Sequence, residues 1–359
     1  MTWTLVAVVA VALFFDFTNG FHDAANAIAT SVSTRALSPR VAVLLAAVLN
    51  FAGAFVSIKV AATVAKGIVD PNGITLRIVL AGLIGAIAWN LLTWYLGLPT
   101  SSSHALIGGV AGAAIAAAGF GIVQWRGLYE KVLIPSLIAP ALAIPAAVLV
   151  MIVVLWIIRR RAPGKVNRVF RRLQVLSAAF VAFTHGTNDA QKTMGVITLA
   201  LLTAHPGRAF HVPTWVIASA GGAMALGTYA GGWRIIRTLG QRIAKLDPPQ
   251  GFAAETATAS ILWATAHFGF PVSTTHTISS AVLGAGSAGS RLRAVRWGLA
   301  GNILVAWLIT LPCAALVGAA VELLTRAPGG NALALALTVA LALLALAASR
   351  ARAHQVRQA

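Results

Sequence analysis

The sequence predicts an all-α integral membrane protein: an inverted-topology repeat of about five spans per unit, with broken helices or re-entrant hairpins, and about 10–12 transmembrane segments in all. Three observations carry this. Hydrophobic residues make up 58% of the 359 and charged residues only 10%, too little charge for a soluble chain of this size. A pair of polar motifs occurs twice, in the same order. Gly20–Ala27 (GFHDAANA) precedes Pro99–His104 (PTSSSH), and Gly186–Thr193 (GTNDAQKT) precedes Pro271–His276 (PVSTTH). Asp23 lies 76 residues before Pro99 and Asp189 lies 82 before Pro271, so one ancestral unit is used twice. Finally, an odd number of spans per unit forces the second copy to enter from the opposite side.

The spans follow in order. Apolar runs lie near 3–18, 40–58, 74–97, 102–122 and 132–158. A second set covers 173–184 (continuing through the motif to about 203), 212–231, 253–269, 272–289 and 297–323. A further Leu/Ala-rich run at 331–348 has no counterpart. The expected organisation is therefore repeat 1 at 1–158, a basic cytoplasmic linker at 159–172, inverted repeat 2 at 173–325, and an extra segment with a basic tail at 326–359. The uncharged turns at Pro99 and Pro271 read as hairpin tips, because a proline-broken hydroxyl cluster is tolerated at membrane depth only against protein or a cavity. Glycine steps such as Gly108-Gly109-x-x-Gly112 and Gly221-Gly222 read as close helix packing.

Charge orients the chain. With the N-terminus outside, nineteen Lys and Arg residues fall in inside loops and tail and seven outside, leaving Lys192 at membrane depth. The same distribution explains the net charge of +19 without nucleic acid, since no basic face interleaved with aromatics is present. The first 34 residues carry no Lys or Arg, so no cleavable signal peptide is expected. A single cysteine, Cys313, excludes a disulfide framework or a thiolate cluster.

Of eight acidic residues, Asp16, Asp23, Asp189 and Glu255 lie within apolar stretches. Each would cost roughly 2.5–3.5 kcal/mol at the bilayer centre unless it faces a cavity or partner. Asp23 and Asp189 are equivalent under the repeat and read as a cation site or proton relay. Glu255 is grouped with them because it sits on the segment feeding the second hairpin. Asp16 stays open between helix pairing and function. In each motif the glycine is expected to break the helix, while Asp and Asn supply hard oxygens of the kind sodium prefers. Asp23, Asn26 and Asp189 are the sodium candidates, with Asn188 and Glu255 in the wider cation-coupling set. The hydroxyl runs after Pro99 and Pro271 are expected at helix N-termini, where free N–H groups attract an anion.

Through these residues the chain resembles the PiT inorganic phosphate transporter family, and its bacterial branch most, over about residues 5–325. That family's hallmark is a duplicated GANDVANA-like sequence, matched by Gly20–Ala27 and Gly186–Thr193. The resemblance implies cation-coupled phosphate uptake with sodium or protons, no cofactor, no enzymatic activity, and a bacterial inner membrane location. It assigns phosphate to Thr100, Ser101, Ser102, Ser103, Ser273, Thr274 and Thr275. The partners it implies are inorganic phosphate, the coupling cation and the lipid bilayer, with a homodimer left open. His22, His185, His104 and His276 are candidates for proton handling, histidine being the side chain that changes charge near neutral pH. Two departures stand out: His22 replaces the hallmark asparagine, and Lys192 stands where Asn26 stands in the first copy. Symmetric sodium sites therefore do not follow. Lys192 is read as a tethered cation paired with Asp189, or as a side chain that snorkels to the interface. A carrier of another oxyanion such as sulfate, or a passive anion channel, are the rival readings. A membrane hydrolase is set aside, because no metal-ligand spacing such as His-Glu-x-x-His appears.

Overall fold

The computed structural model describes residues 3–288, 295–330, 332–340 and 343. Arg291, Arg293, the tail arginines Arg350, Arg352 and Arg357, and parts of the 331–348 run lie outside the described residues. Regular structure among the described residues is helical, with two isolated bridges and no sheet. Among the described residues, four helical stretches are long and apolar enough to cross a membrane: Trp3–Ser33, Leu76–Leu96, Trp125–Ile158 and Trp297–Thr325. The protein is thus all-α and multi-pass.

The first motif does not break its helix. α1 (Trp3–Ser33) runs through Gly20, and α8 (Pro163–Ala204) runs through Gly186. Both glycines are instead points where two backbones touch. A Cβ on Gly20 would lie 2.2 Å from Met224 O of α9 (Thr214–Ala230), and one on Gly186 would lie 2.1 Å from Asn50 O of α2 (Pro39–Gly53). The partner helices return the contact: Gly53 would meet Phe183 O and Gly227 would meet Phe17 O, each at 2.1 Å. The α1–α9 and α2–α8 crossings are one contact made twice, with the repeats exchanged. A helical glycine costs about 1 kcal/mol against alanine, which close packing in a membrane offsets.

Breaks fall elsewhere. The expected 40–58 span stops at Gly53, and a short α3 (Lys59–Lys66) restarts after a turn. In the second half α9 stops at Gly231-Gly232, before α10 (Trp233–Arg237) and a π turn at Thr238–Arg242. Most of the 159–172 segment is helical. α7 (Ile134–Ile158), which continues α6 (Trp125–Leu128) through a π turn, ends just before the linker, and α8 begins at Pro163. Lys165, Arg168, Arg171 and Arg172 therefore ride exposed on the first turns of a 42-residue helix. Proline at its first position presets the helical φ.

The two hydroxyl motifs form hairpins. α4 (Leu76–Leu96) ends at Gly97 and α11 (Pro248–Phe268) at Gly269, with left-handed φ of 72° and 77° that only glycine adopts cheaply. The chain then turns into α5 (Ser102–Ala118) and α12 (Thr274–Ser287). Both tips end inside the protein: Thr100 is 0% exposed and Thr274 1%. Each tip is held by the broken helix of the other half, with Thr63 Oγ1 donating to Gly269 O (2.8 Å) and Thr238 Oγ1 to Gly97 O (3.0 Å). α13 (Trp297–Thr325) packs along α4 and α5, its Trp307 Nε1 donating to Pro99 O at 2.9 Å.

Candidate functional site

Because α1 and α8 carry their motifs on continuous helices, His22, Asp23 and Asn26 project from α1 as His185, Asp189 and Lys192 do from α8. All six are buried. The two hairpin tips close on them from the remaining sides, and Ser103 Oγ of one tip donates to Val272 O of the other at 3.4 Å.

In the first half, His22 Nδ1 lies 2.6 Å from Asp23 Oδ1, while its Nε2 faces the hydroxyls of Thr93 (3.3 Å) and Thr100 (3.4 Å). Asn26 Nδ2 donates to Thr274 Oγ1 (3.1 Å) and Thr275 Oγ1 (2.9 Å), reaching across to the second tip. Thr275 Oγ1 in turn lies 3.4 Å from Asp23 Oδ1. Asn26 Oδ1 is buried with no hydrogen-bond partner.

In the second half, the Lys192 ammonium bonds Asp189 Oδ1, Ser103 Oγ (2.5 Å) and Val272 O (3.0 Å). Asp189 Oδ2 accepts from Thr274 Oγ1 at 3.2 Å. His185 Nε2 is also 3.2 Å from that oxygen, but off the axis of a hydrogen bond, and its Nδ1 donates to Asn50 Oδ1 at 3.1 Å. Lys192 is 2% exposed, so it does not snorkel.

Asp23 and Asp189 come together across the repeat. Ligand atoms of Asp23, His185 and Asp189 lie within 4.8 Å of one another, a buried set able to hold a cation. His185 thus joins the two acids, and the unpartnered Asn26 carbonyl stands three residues along α1 from Asp23.

The hydroxyls divide by task. Ser101 and Ser273 are N-caps, accepting from the backbone N–H of His104 (3.1 Å) and His276 (3.2 Å). The helix N-termini therefore begin at serine, two residues after each proline, rather than at proline itself. Ser102 Oγ is buried and has no partner. Thr274 and Thr275 are spanned by Asn26 as above. His104 and His276 sit behind the tips, ring against ring at 5.0 Å, with His276 stacked on Trp307 at 4.1 Å and His104 Nε2 2.8 Å from Ser136 Oγ. Asn188 Nδ2 reaches Phe270 O at 3.4 Å. Asp16 is wholly buried, with Oδ1 3.4 Å from Asn19 Nδ2 and Oδ2 unpartnered.

Glu255 is not in this cluster. It forms a second one, accepting from Thr30 Oγ1 (2.5 Å) and Gln174 Nε2 (3.0 Å) on Oε1 and from Ser177 Oγ (2.5 Å) on Oε2. The sequence reading missed Gln174, Asn50 and Gln191. Gln191 Oε1 accepts from Val60 N at 2.8 Å, capping the restarted α3. A signal was available, since an amide side chain inside an apolar run carries the same desolvation cost as a buried hydroxyl or more.

Two equivalent motifs meeting between two buried tips, inside a bundle of membrane helices, define a secondary transporter rather than an enzyme. The chain belongs to the Phosphate transporter family, whose profile matches residues 19–165 and 159–318. It is 54% identical over 332 residues to a probable low-affinity inorganic phosphate transporter of Mycobacterium tuberculosis, covering 91% of this chain and 78% of that one. It is 49% identical to one of Bacillus subtilis, covering 88% and 95%. A solved structure described as the sodium-dependent phosphate transporter superposes with a TM-score of 0.80 at 24% identity, over 90% of this chain and 99% of that one. At that identity the likeness speaks for the fold.

Proposed function

We propose that this protein imports inorganic phosphate across a bacterial inner membrane, coupled to a cation, by alternating access of a central site to the two sides. The observation that carries the reading is the meeting of the two hydroxyl-bearing helix N-termini with the Asp23–Asp189 pair. Helix N-termini and hydroxyls suit an oxyanion, and Ser102 Oγ has no partner to give up first. Two carboxylates beside an oxyanion repel it unless cations stand between them, which ties anion binding to cation binding. Asp23, His185, the Asn26 carbonyl and Asp189 Oδ2, the oxygen that Lys192 does not hold, are the groups that would hold the transported cation. The exchanged α1–α9 and α2–α8 contacts, the reciprocal hold on the tips and the one-sided basic loops all support an inverted repeat.

Uptake of radiolabelled phosphate into proteoliposomes, with sodium and proton gradients imposed separately, tests this. Gradient-driven accumulation, poorly competed by sulfate, is expected. Ser102→Ala should raise the half-saturating phosphate concentration about tenfold or more, a hydrogen bond to a charged group being worth roughly 1.5–3 kcal/mol. Ser219→Ala should not, because that hydroxyl bonds only Val216 O of its own helix. Flux indifferent to both gradients would mean a passive channel, and stronger uptake of sulfate would reassign the cargo.

A further inference from the structure

We infer that Lys192 is a tethered cation that permanently fills the second half of a duplicated cation site, so that the Asp189 half transports without a sodium ion of its own. The inference rests on the coupled-uptake reading above and specifies its ion requirement.

The two halves offer equivalent positions with different contents. Asn26 stands three residues after Asp23, and Lys192 three after Asp189. In the first half Asn26 Oδ1 is buried and unpartnered, and the amide nitrogen beside it is anchored by Thr274 and Thr275. A carboxylate and an unpartnered carbonyl one helical turn apart are oxygens of the kind an ion needs. In the second half a cation is already supplied. The ammonium has three N–H donors and meets three acceptors: a carboxylate, a hydroxyl and a backbone carbonyl. These are the ligand types a sodium ion would collect. With every donor used, Lys192 has none left over for an anion in this state.

Escape to the membrane surface is closed to it. α8 continues twelve residues past Lys192 to Ala204, about 18 Å of helix at 1.5 Å per residue, well beyond the reach of a lysine stem. The ammonium also joins elements as a bound ion would, since Asp189 is on α8, Ser103 belongs to the first tip and Val272 to the second. A dissociable ion would release those tips at each turnover. A tethered one keeps Asp189 neutralised while the empty carrier returns.

The test is the flux ratio of radiolabelled sodium to phosphate in proteoliposomes, with initial rates measured against sodium at constant ionic strength. The wild type should move at most one sodium per phosphate. Lys192→Asn, which copies the first half, should add one sodium per phosphate and steepen the sodium dependence. The reciprocal Asn26→Lys should remove the sodium response that the wild type has. Thermal unfolding in sodium against choline chloride reads the same ions without transport: sodium should stabilise Lys192→Asn more than wild type, and Asn26→Lys less. A wild-type ratio of two or more overturns the inference, as does an unchanged ratio or an unchanged sodium stabilisation in Lys192→Asn, or in Asn26→Lys when the wild type itself moves sodium. Failure of the wild type to take up phosphate under any gradient would instead sink the functional reading.

Discussion

Glu255 separates a structural acid from a working one, because its surroundings allow the two roles to be removed independently. Its carboxylate accepts from Thr30, Gln174 and Ser177, and the Gln174 side chain is fixed from its other end by Thr34 Oγ1 at 2.7 Å. In Glu255→Ala the Ser177 hydroxyl has an alternative, since it already lies 3.3 Å from Gln174 O, while Thr30 Oγ1 loses the acceptor it uses here. Gln174 Nε2 has none, and it is wedged where a Cβ on Gly251 would sit 2.2 Å away. One stranded amide donor costs about 1–3 kcal/mol, and the lost methylene adds about 0.8 kcal/mol. The alanine variant should therefore melt several degrees lower in detergent. Glu255→Gln keeps all three of these contacts and adds one amide N–H without a partner. Its oxygen can keep Thr30 and Gln174, and its new N–H can donate to Ser177, which passes its own proton to Gln174 O. Its melting temperature should lie clearly above that of the alanine variant, which loses all three contacts and a methylene, while cation-driven phosphate uptake is lost. Wild-type uptake by Glu255→Gln would refute a coupling role. A melting temperature as low as that of alanine would refute the hydrogen-bond reasoning itself.

The other two predictions use the same pair of assays. Asp23→Asn and Asp189→Asn should both abolish coupled uptake but should differ in stability. Only Asp189→Asn leaves a buried ammonium without its carboxylate, a loss of about 3–5 kcal/mol, so equal melting temperatures would contradict the ion pair. Gly186→Ala should destabilise by roughly 1–3 kcal/mol through overpacking, since its Cβ would sit 2.1 Å from Asn50 O and push on the residue that holds His185. Gly222→Ala, which has nothing within 4 Å, is the matched control and should melt like the wild type.

The all-α, multi-pass class and the two buried tips were legible in the pattern of apolar runs and repeated motifs. The hydroxyl motifs announced buried tips, because proline with three polar residues has no cheap place in lipid. The doubled aspartates announced a shared centre, and they meet there. What failed was the reading of glycine. In Gly20 and Gly186 the missing side chain permits a crossing at backbone contact and leaves the helix unbroken. Sequence alone cannot tell a glycine that bends from one that packs, since both are marked only by a missing Cβ. Glu255 was grouped with the central acids by its place in the chain, yet its partners Thr30, Gln174 and Ser177 come from distant segments that no local pattern relates to it. Gly221-Gly222 shows the same limit in miniature: a Cβ on Gly221 would press on Ala54 at 2.9 Å, while Gly222 faces open space.

A frame this symmetric makes its asymmetries informative. Backbone crossings and tip restraints recur in both halves at the same register, because a carrier that exposes one site to two sides needs matched surfaces to move between. The buried polar contents are under no such demand. His22 bonds its neighbour Asp23 and two hydroxyls of the first hairpin, whereas His185, one turn before Asp189, is pinned to Asn50 of α2. Asn26 leaves an oxygen open where Lys192 leaves no donor free. On the coupled-uptake reading proposed above, each difference changes how much positive charge the half-site must take up from water before it can close over an anion. In a medium where an uncompensated charge costs several kcal/mol, that requirement would set which ions are obligatory. Duplication would then fix the path of movement, and the few residues at which the copies have diverged would fix what must travel along it.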